Sequence, residues 1–242
     1  MDKKEQPCLL LMETATEVCS VSVARGRQIL AIRESVDGVS HSRNLIPFIE
    51  EVLTEAGLEK TDIDAISLGI GPGSYTGLRI GASVAKGMAY ALDLPVITVS
   101  TLYTIMKGAK NADIPLPEDA PKLPLLYIPM IDARRMEVYM TSYDNHGNRL
   151  EEVKAMVVVP GVFDGIGKDY RIVFCGSGMP KCREILEVSP HAFFSESPVS
   201  SVHMLDKTLQ KFEDKIFADI AYFEPYYLKE YVAAKSHVKG LQ

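Results

Sequence analysis

The densest chemical signal in the chain is Gly69 to Gly81, GIGPGSYTGLRIG. Glycines at 69, 71, 73 and 77 permit positive φ and close backbone approach. The run leads into an expected helix, whose first free N–H groups attract anions. Phosphate binding is the chemistry this pattern suggests, with Gly71, Gly73, Ser74 and Thr76 as the candidate ligands. The two standard nucleotide motifs fail. No Lys-Ser or Lys-Thr follows the glycines, and Thr76 holds the last glycine position of the dinucleotide fingerprint when counted from Gly71. A tight strand-to-helix turn that needs its glycines for geometry alone fits the spacing equally well.

Glu13, Glu17 and Asp132 lie near expected strand ends, where a phosphotransferase would place the carboxylates that hold its metal ion. Ordinary turn polarity explains them as well. Arg134 and Arg135 in IDARRMEVY could meet an anion, but a charged turn between two strands has the same composition. A metal-binding His pair on a helix would need a second His one turn after His41, and position 45 is Leu. Cys8, Cys19, Cys175 and Cys182 show no CxxC spacing and read as small packing thiols. No metal site and no disulfide framework is expected.

These groups need elements to hold them. Residues 8–12 and 19–24 read as a strand hairpin, with a third strand at 27–35. Leu45, Phe48, Ile49, Val52, Leu53 and Ala56 recur at helical spacing opposite Glu50, Glu51 and Glu55, which makes 42–57 an amphipathic helix with Pro47 in its first turn or at a kink. Strand 64–70, the glycine loop, a helix over 76–92 and a strand at VITVS complete a strand–loop–helix–strand unit. On that helix Gly77, Gly81, Ala85 and Ala89 form one ridge of small residues, and Ser83, Gly87 and Ala91 another. Two ridges admit two close neighbours: the sheet, and either the 42–57 helix or another subunit.

The Pro-rich run Ile114–Pro124 marks the expected domain boundary. Beyond it LLYIPMIDA, EVYMTSYD, VKAMVVVP and RIVFCG read as strands, with a turn at Asn145–Gly147, another at GSG, and a helix near 202–213. Strand hairpins that precede helices in both halves hint at a duplicated fold. At 242 residues the chain suffices for one large domain or two small ones, and a net charge of −6 argues against a basic nucleic-acid surface over the whole protein. The apolar run CLLLM is too short for a signal core or a membrane span, so a cytoplasmic location is expected.

Three ordered motifs, METATEVCSVSVA, HSRNLIPFIEEVLTEAG and DIDAISLGIGPGSYTGLRIGASVAKGMAYALDLPVITVSTL, resemble the TsaB (YeaZ) family, with weaker support in IDARRMEVY, FCGSGM and EPYYLK. The resemblance implies an actin-like α/β fold of two related lobes, as in sugar kinases and Hsp70-type ATPases. Residues 1–110 would form the N-terminal lobe and 111–242 the C-terminal lobe, whose last segment would pack back on the first. It also implies no catalytic residues and no metal, since the family lacks the paired histidines of its catalytic paralogue TsaD, as Leu45 does here.

The expected role is a cytoplasmic subunit that dimerises with TsaD, homodimerises when alone, joins the ATPase TsaE, and meets tRNA only indirectly through the complex. The reaction served is threonylcarbamoyl transfer to the tRNA adenosine next to the anticodon. By the family pattern the two N-terminal helices bind the partner, through Leu45, Phe48, Ile49, Val52, Gly77, Gly81, Ala85, Met88 and Ala89. No cofactor is expected beyond a weakly held nucleotide at a lobe or subunit interface, between the 71–76 loop and Gly176 and Gly178. Many family members have Asp where this chain has Glu13, which weakens a metal–phosphate role. An independent actin-like phosphotransferase is the alternative, and a metalloprotease a more distant third.

Overall fold

The computed structural model describes residues 6–36, 41–114 and 122–229. Most of the Pro-rich boundary run and the tail after Glu230 lie outside the described residues. In chain order the first half contains β1 (Cys8–Glu13), β2 (Cys19–Arg25), β3 (Gln28–Ser35), α1 (His41–Ala56), β4 (Ala65–Gly69), α2 (Tyr75–Leu92), β5 (Val96–Val99) and α3 (Thr101–Asn111). The second half contains β6 (Leu125–Asp132), β7 (Glu137–Met140), β8 (Tyr143–Asp144), β9 (Lys154–Val157), α4 (Asp164–Gly167), β10 (Arg171–Cys175), α5 (Met179–Leu186), β11 (Ala192–Ser195) and α6 (Leu205–Glu213).

The two halves repeat one plan. The first sheet has the order β3-β2-β1-β4-β5 and the second β9-β7-β6-β10-β11. In each, the first three main strands are antiparallel neighbours and the last two run parallel to the first. This is the actin-like pair of related α/β lobes. It makes β6 the counterpart of β1, and the β10–α5 loop the counterpart of the glycine loop between β4 and α2.

The continuous apolar run of β1 follows from burial on both faces. Cys8, Leu10 and Met12 pack with Leu45, Ile49 and Val52 of α1 and with Ala82, Ala85 and Ala89 of α2. Leu9 and Leu11 face the other way, onto Met204, Leu205 and Leu209 at the start of α6 and just before it. Helix α6 belongs to the second half of the sequence yet covers the first sheet. The reverse holds for α3, whose Leu102, Ile105, Met106 and Ala109 pack with Tyr127, Ile131 and Val173 of the second sheet. The lobes therefore exchange helices, and each buried aliphatic side chain on them contributes roughly 2 kcal/mol to holding the halves together.

Differences from the sequence expectations have local causes. Pro47 falls in the second turn of α1 rather than the first, on its exposed side, at the cost of one intrahelical hydrogen bond. The expected strand EVYMTSYD divides into β7 and β8, which keep one register on β6 with the break opposite Pro129; there Thr141 Oγ1 donates to Glu151 O and Ser142 O accepts from Leu150 N. Helix α3 adds to the expected elements, as do α4, α5 and β11. No helix among the described residues is long and apolar enough to cross a membrane.

Candidate functional site

Five loops at the strand ends enclose a cleft of about 760 Å³ between the lobes. The β1–β2 turn supplies Ala15, Thr16 and Glu17; the glycine loop and the start of α2 supply Gly73, Ser74, Tyr75 and Thr76. From the second lobe come Ile131, Asp132, Ala133, Arg134, Tyr139 and Ser177, and from the C-terminal segment Tyr226 to Lys229. The structure thus brings Gly73, Ser74 and Thr76 together with Glu17, Asp132 and Arg134, while the other candidates of the glycine loop and of the GSG turn, Gly71, Gly176 and Gly178, do not line the cleft.

The glycine loop is clamped on its own lobe. Ser74 N donates to Ala15 O at 2.6 Å, Gly71 N to Thr101 Oγ1 at 3.2 Å, and Gly77 N to Ser74 Oγ at 3.3 Å. Three N–H groups that could have cradled a phosphate already have partners. A Cβ at Gly73 would collide with the backbone of Ala15, and one at Gly77 with the Thr14 carbonyl, so these glycines serve close approach. Gly176 and Gly178 likewise press on Met130 O and the Ile131 backbone, while Ser177 between them reaches the cleft and accepts from Asp132 N at 3.3 Å.

Glu13 and Asp132 end equivalent strands but have different surroundings. Glu13 is wholly buried and turns away from the cleft, packed against Gly69, with Ala15 N donating to Oε1 at 2.8 Å and Thr101 Oγ1 within 3.1 Å of Oε2. Burial raises its pKa from 4.5 to about 7, against the opposing pull of those hydrogen bonds. Asp132 stays half in water. Partial burial works against its charge, yet the Lys181 ammonium at 2.5 Å and the Arg134 N–H at 2.7 Å hold its carboxyl below the ordinary range. Lys181 also donates to Glu137 O, so it is fixed at the spot where a cation would sit on Asp132.

Arg134 and Arg135 both adopt left-handed backbone, with φ of 72° and 50°, in the β6–β7 turn closed by Glu137 N donating to Arg134 O. His41 is buried at the start of α1 with Nε2 2.9 Å from Thr16 O, which ties the helix to the β1–β2 turn. Leu45, one turn on, is core. All four cysteines are free and buried, and no group of three or more His, Cys, Asp or Glu among the described residues could hold a metal.

The second candidate surface is the outer side of α1 and α2. Of the residues expected to touch a partner, Leu45, Ile49, Val52, Gly77, Gly81, Ala85 and Ala89 are buried in their own lobe, while Phe48 and Met88 are half-buried against the same core. A Cβ at Gly81 would meet Thr14 Oγ1 and Leu68, which confirms that this ridge faces the sheet. The outward ridge is Ser83, Gly87 and Ala91, with Tyr90 86% exposed beside it and Ile46 47% exposed on α1. A groove of about 460 Å³ lies at the N-terminal end of this ridge, between Ser42 of α1 and Tyr75, Thr76, Arg79, Ile80, Ser83 and Val84 of α2.

Sequence reasoning missed Thr101, Ser177, Lys181, Tyr227 and Lys229. Each enters through a contact far along the chain, so no local spacing marks it.

Residues 35–240 match the family model described as "TsaD: tRNA N6-adenosine threonylcarbamoyltransferase". The chain is similar to the "tRNA threonylcarbamoyladenosine biosynthesis protein TsaB" of Escherichia coli K12, 36% identical over 154 residues that cover 62% of each protein. The protein of that name in Haemophilus influenzae is 36% identical over 133 residues, 55% of this chain and 52% of the relative. The match thus spans between about half and two thirds of the length of these relatives. The solved structure "YeaZ from Pseudomonas aeruginosa" superposes with a TM-score of 0.75 at 26% identity, over 92% of this chain and 100% of that one.

Proposed function

Because the chain belongs to the TsaB (YeaZ) family, we propose that it works in the cytoplasm as a non-catalytic subunit of tRNA threonylcarbamoyladenosine biosynthesis, dimerising with and activating TsaD. The observation that carries this reading is the state of the two carboxylates at the equivalent strand ends. An actin-like phosphotransferase needs them open to a metal–phosphate group. Here Glu13 is sealed behind Thr101 and Gly69, and Asp132 is already engaged by Lys181. With the glycine-loop N–H groups bonded internally as well, the independent phosphotransferase lacks its parts.

In this reading the N-terminal lobe, residues 1–110, presents the outward ridge Ser83, Gly87 and Ala91 to a helix of TsaD. Small side chains let two helices approach to about 8 Å, and Ile46, Ile80, Val84 and Tyr90 supply apolar area around the ridge. The same face would join two copies of this chain when TsaD is absent. TsaE joins the assembly, and tRNA is reached through TsaD.

Co-expression with TsaD tests the reading. Wild type should co-elute and support modification of tRNA, while Ser83→Arg and Gly87→Arg, which point into open solvent in the free chain, should fold normally and do neither. Co-elution of both variants at wild-type strength would move the contact elsewhere. Absence of any wild-type complex well above micromolar concentration would overturn the proposal.

A further inference from the structure

The first turns of α1 and α2 do not close on one another: the groove of about 460 Å³ separates Ser42 from Thr76 and Ile80. What joins the two helix ends lies beneath them, in the β1–β2 turn. Thr14 Oγ1 donates to Gly77 O at 2.9 Å, and Ser74 N, at the cap of α2, donates to Ala15 O at 2.6 Å. The next residue holds the other helix, since His41 Nε2, on the first residue of α1, donates to Thr16 O at 2.9 Å. Three successive residues of one turn thus grip both helices.

The grip is close and dry. Thr14 and Ala15 are wholly buried, and Thr16 and His41 nearly so. A Cβ at Gly77 or Gly81 would meet Thr14, so the first two turns of α2 rest directly on the β1–β2 turn. That turn is itself braced, with Ala15 N donating to Glu13 Oε1 at 2.8 Å and Val18 N to Thr16 Oγ1 at 3.2 Å. Core contacts of Leu45, Ile49 and Val52 hold the length of α1, and the His41 hydrogen bond fixes its start.

We propose that His41 and Thr14 are positioning residues of the docking face: buried away from the partner, they set through the β1–β2 turn the spacing of α1 and α2 that the partner meets. The inference rests on the docking reading above. An interface whose parts are already in place binds more tightly, because less freedom is lost on association. Loosening either helix end lowers the fraction of chains ready to bind and raises the Kd by the same factor.

The Kd for TsaD, measured beside the urea midpoint of each chain, tests the assignment. His41→Leu and Thr14→Val each remove one hydrogen bond at similar volume, and each should raise the Kd roughly three- to tenfold. His41→Gln, whose amide N–H can reach the Thr16 carbonyl, should bind within about twofold of wild type. Ile97→Val lies in the core on the opposite face of the same sheet, and should lower the urea midpoint while leaving the Kd unchanged. Amide exchange should rise in the first two turns of α1 in His41→Leu and of α2 in Thr14→Val, but not in Ile97→Val. Wild-type affinity in both His41→Leu and Thr14→Val, or an equal loss in Ile97→Val, would overturn the positioning role. The role of His41 falls if His41→Gln is as weak as His41→Leu. Wild type that fails to bind TsaD removes the docking reading itself, and this inference with it.

Discussion

Thr101 Oγ1 stands 3.1 Å and 3.3 Å from the two carboxylate oxygens of Glu13, and both residues are completely buried. The hydroxyl also accepts from Gly71 N, so the tip of β1, the start of α3 and the glycine loop meet at one carboxyl group. Burial away from water penalises the charged carboxylate and lifts its pKa to about 7, against the downward pull of the Ala15 N–H and the Thr101 hydroxyl.

That shift predicts a pH-dependent stability. The folded-state pKa lies above the unfolded value of 4.5, so between pH 4.5 and about 7 the native state holds a proton that the unfolded chain has lost. The contribution is fully present below pH 4.5 and disappears as pH rises through 7, for a loss of about 3 kcal/mol. Urea unfolding at pH 5 and pH 8 should show this fall in wild type, and Glu13→Gln should remove most of it. An equal fall in the variant would assign the effect to another group.

Two glycines of α2 should respond oppositely to alanine. At Gly77 a Cβ meets the Thr14 carbonyl, and Gly77→Ala should cost about 2 kcal/mol or more. At Gly87 nothing lies within 4 Å, and Gly87→Ala should stabilise by up to about 1 kcal/mol through helix propensity. Denaturant midpoints of the two variants check the pair.

Lys181→Ala should leave the fold within about 1 kcal/mol of wild type, since Asp132 is half exposed and the pair is partly screened by water. The Asp132 carboxyl should then titrate at a higher pH than in the parent, as the cation that depresses it has gone. NMR of the labelled carboxyl carbon follows this, and an unchanged titration would assign the depression to the Arg134 N–H instead.

The exchanged helices predict that damage in the first half of the sequence appears in the second sheet. Leu102→Ala on α3 should cost about 3 kcal/mol and lower hydrogen-exchange protection in β6 and β10. Protection lost only in the first sheet would contradict the exchange.

Much of this was legible from local pattern. The hairpin β1–β2, the amphipathic α1, the loop–helix unit at Gly69–Leu92 and four of the later strands follow from periodicities of two and 3.6 and from glycine placement. The motif resemblance carried the two-lobed fold, which repeated strand order then displayed. The face of α2 was not legible, because two ridges of small residues look alike until the sheet is in place. Thr14, far back in the chain from both Gly77 and Gly81, and Leu68, on β4 against Gly81, decide that these two glycines look inward.

The sequence by itself determined the hairpin and third strand of the first sheet, the helices α1 and α2 with the glycine loop before the second, most of the later strands and the family resemblance, since these depend on neighbours within a few residues, whereas α3, α4, α5 and β11 were not read from it. Only the tertiary structure decided that Glu13 is sealed, that Asp132 is held by Lys181, that α3 and α6 change places, and that Lys229 pairs with Glu137. Each of these is a contact between residues far apart in the chain, and its strength depends on burial and on the partner's position, neither of which exists until the sheets are stacked.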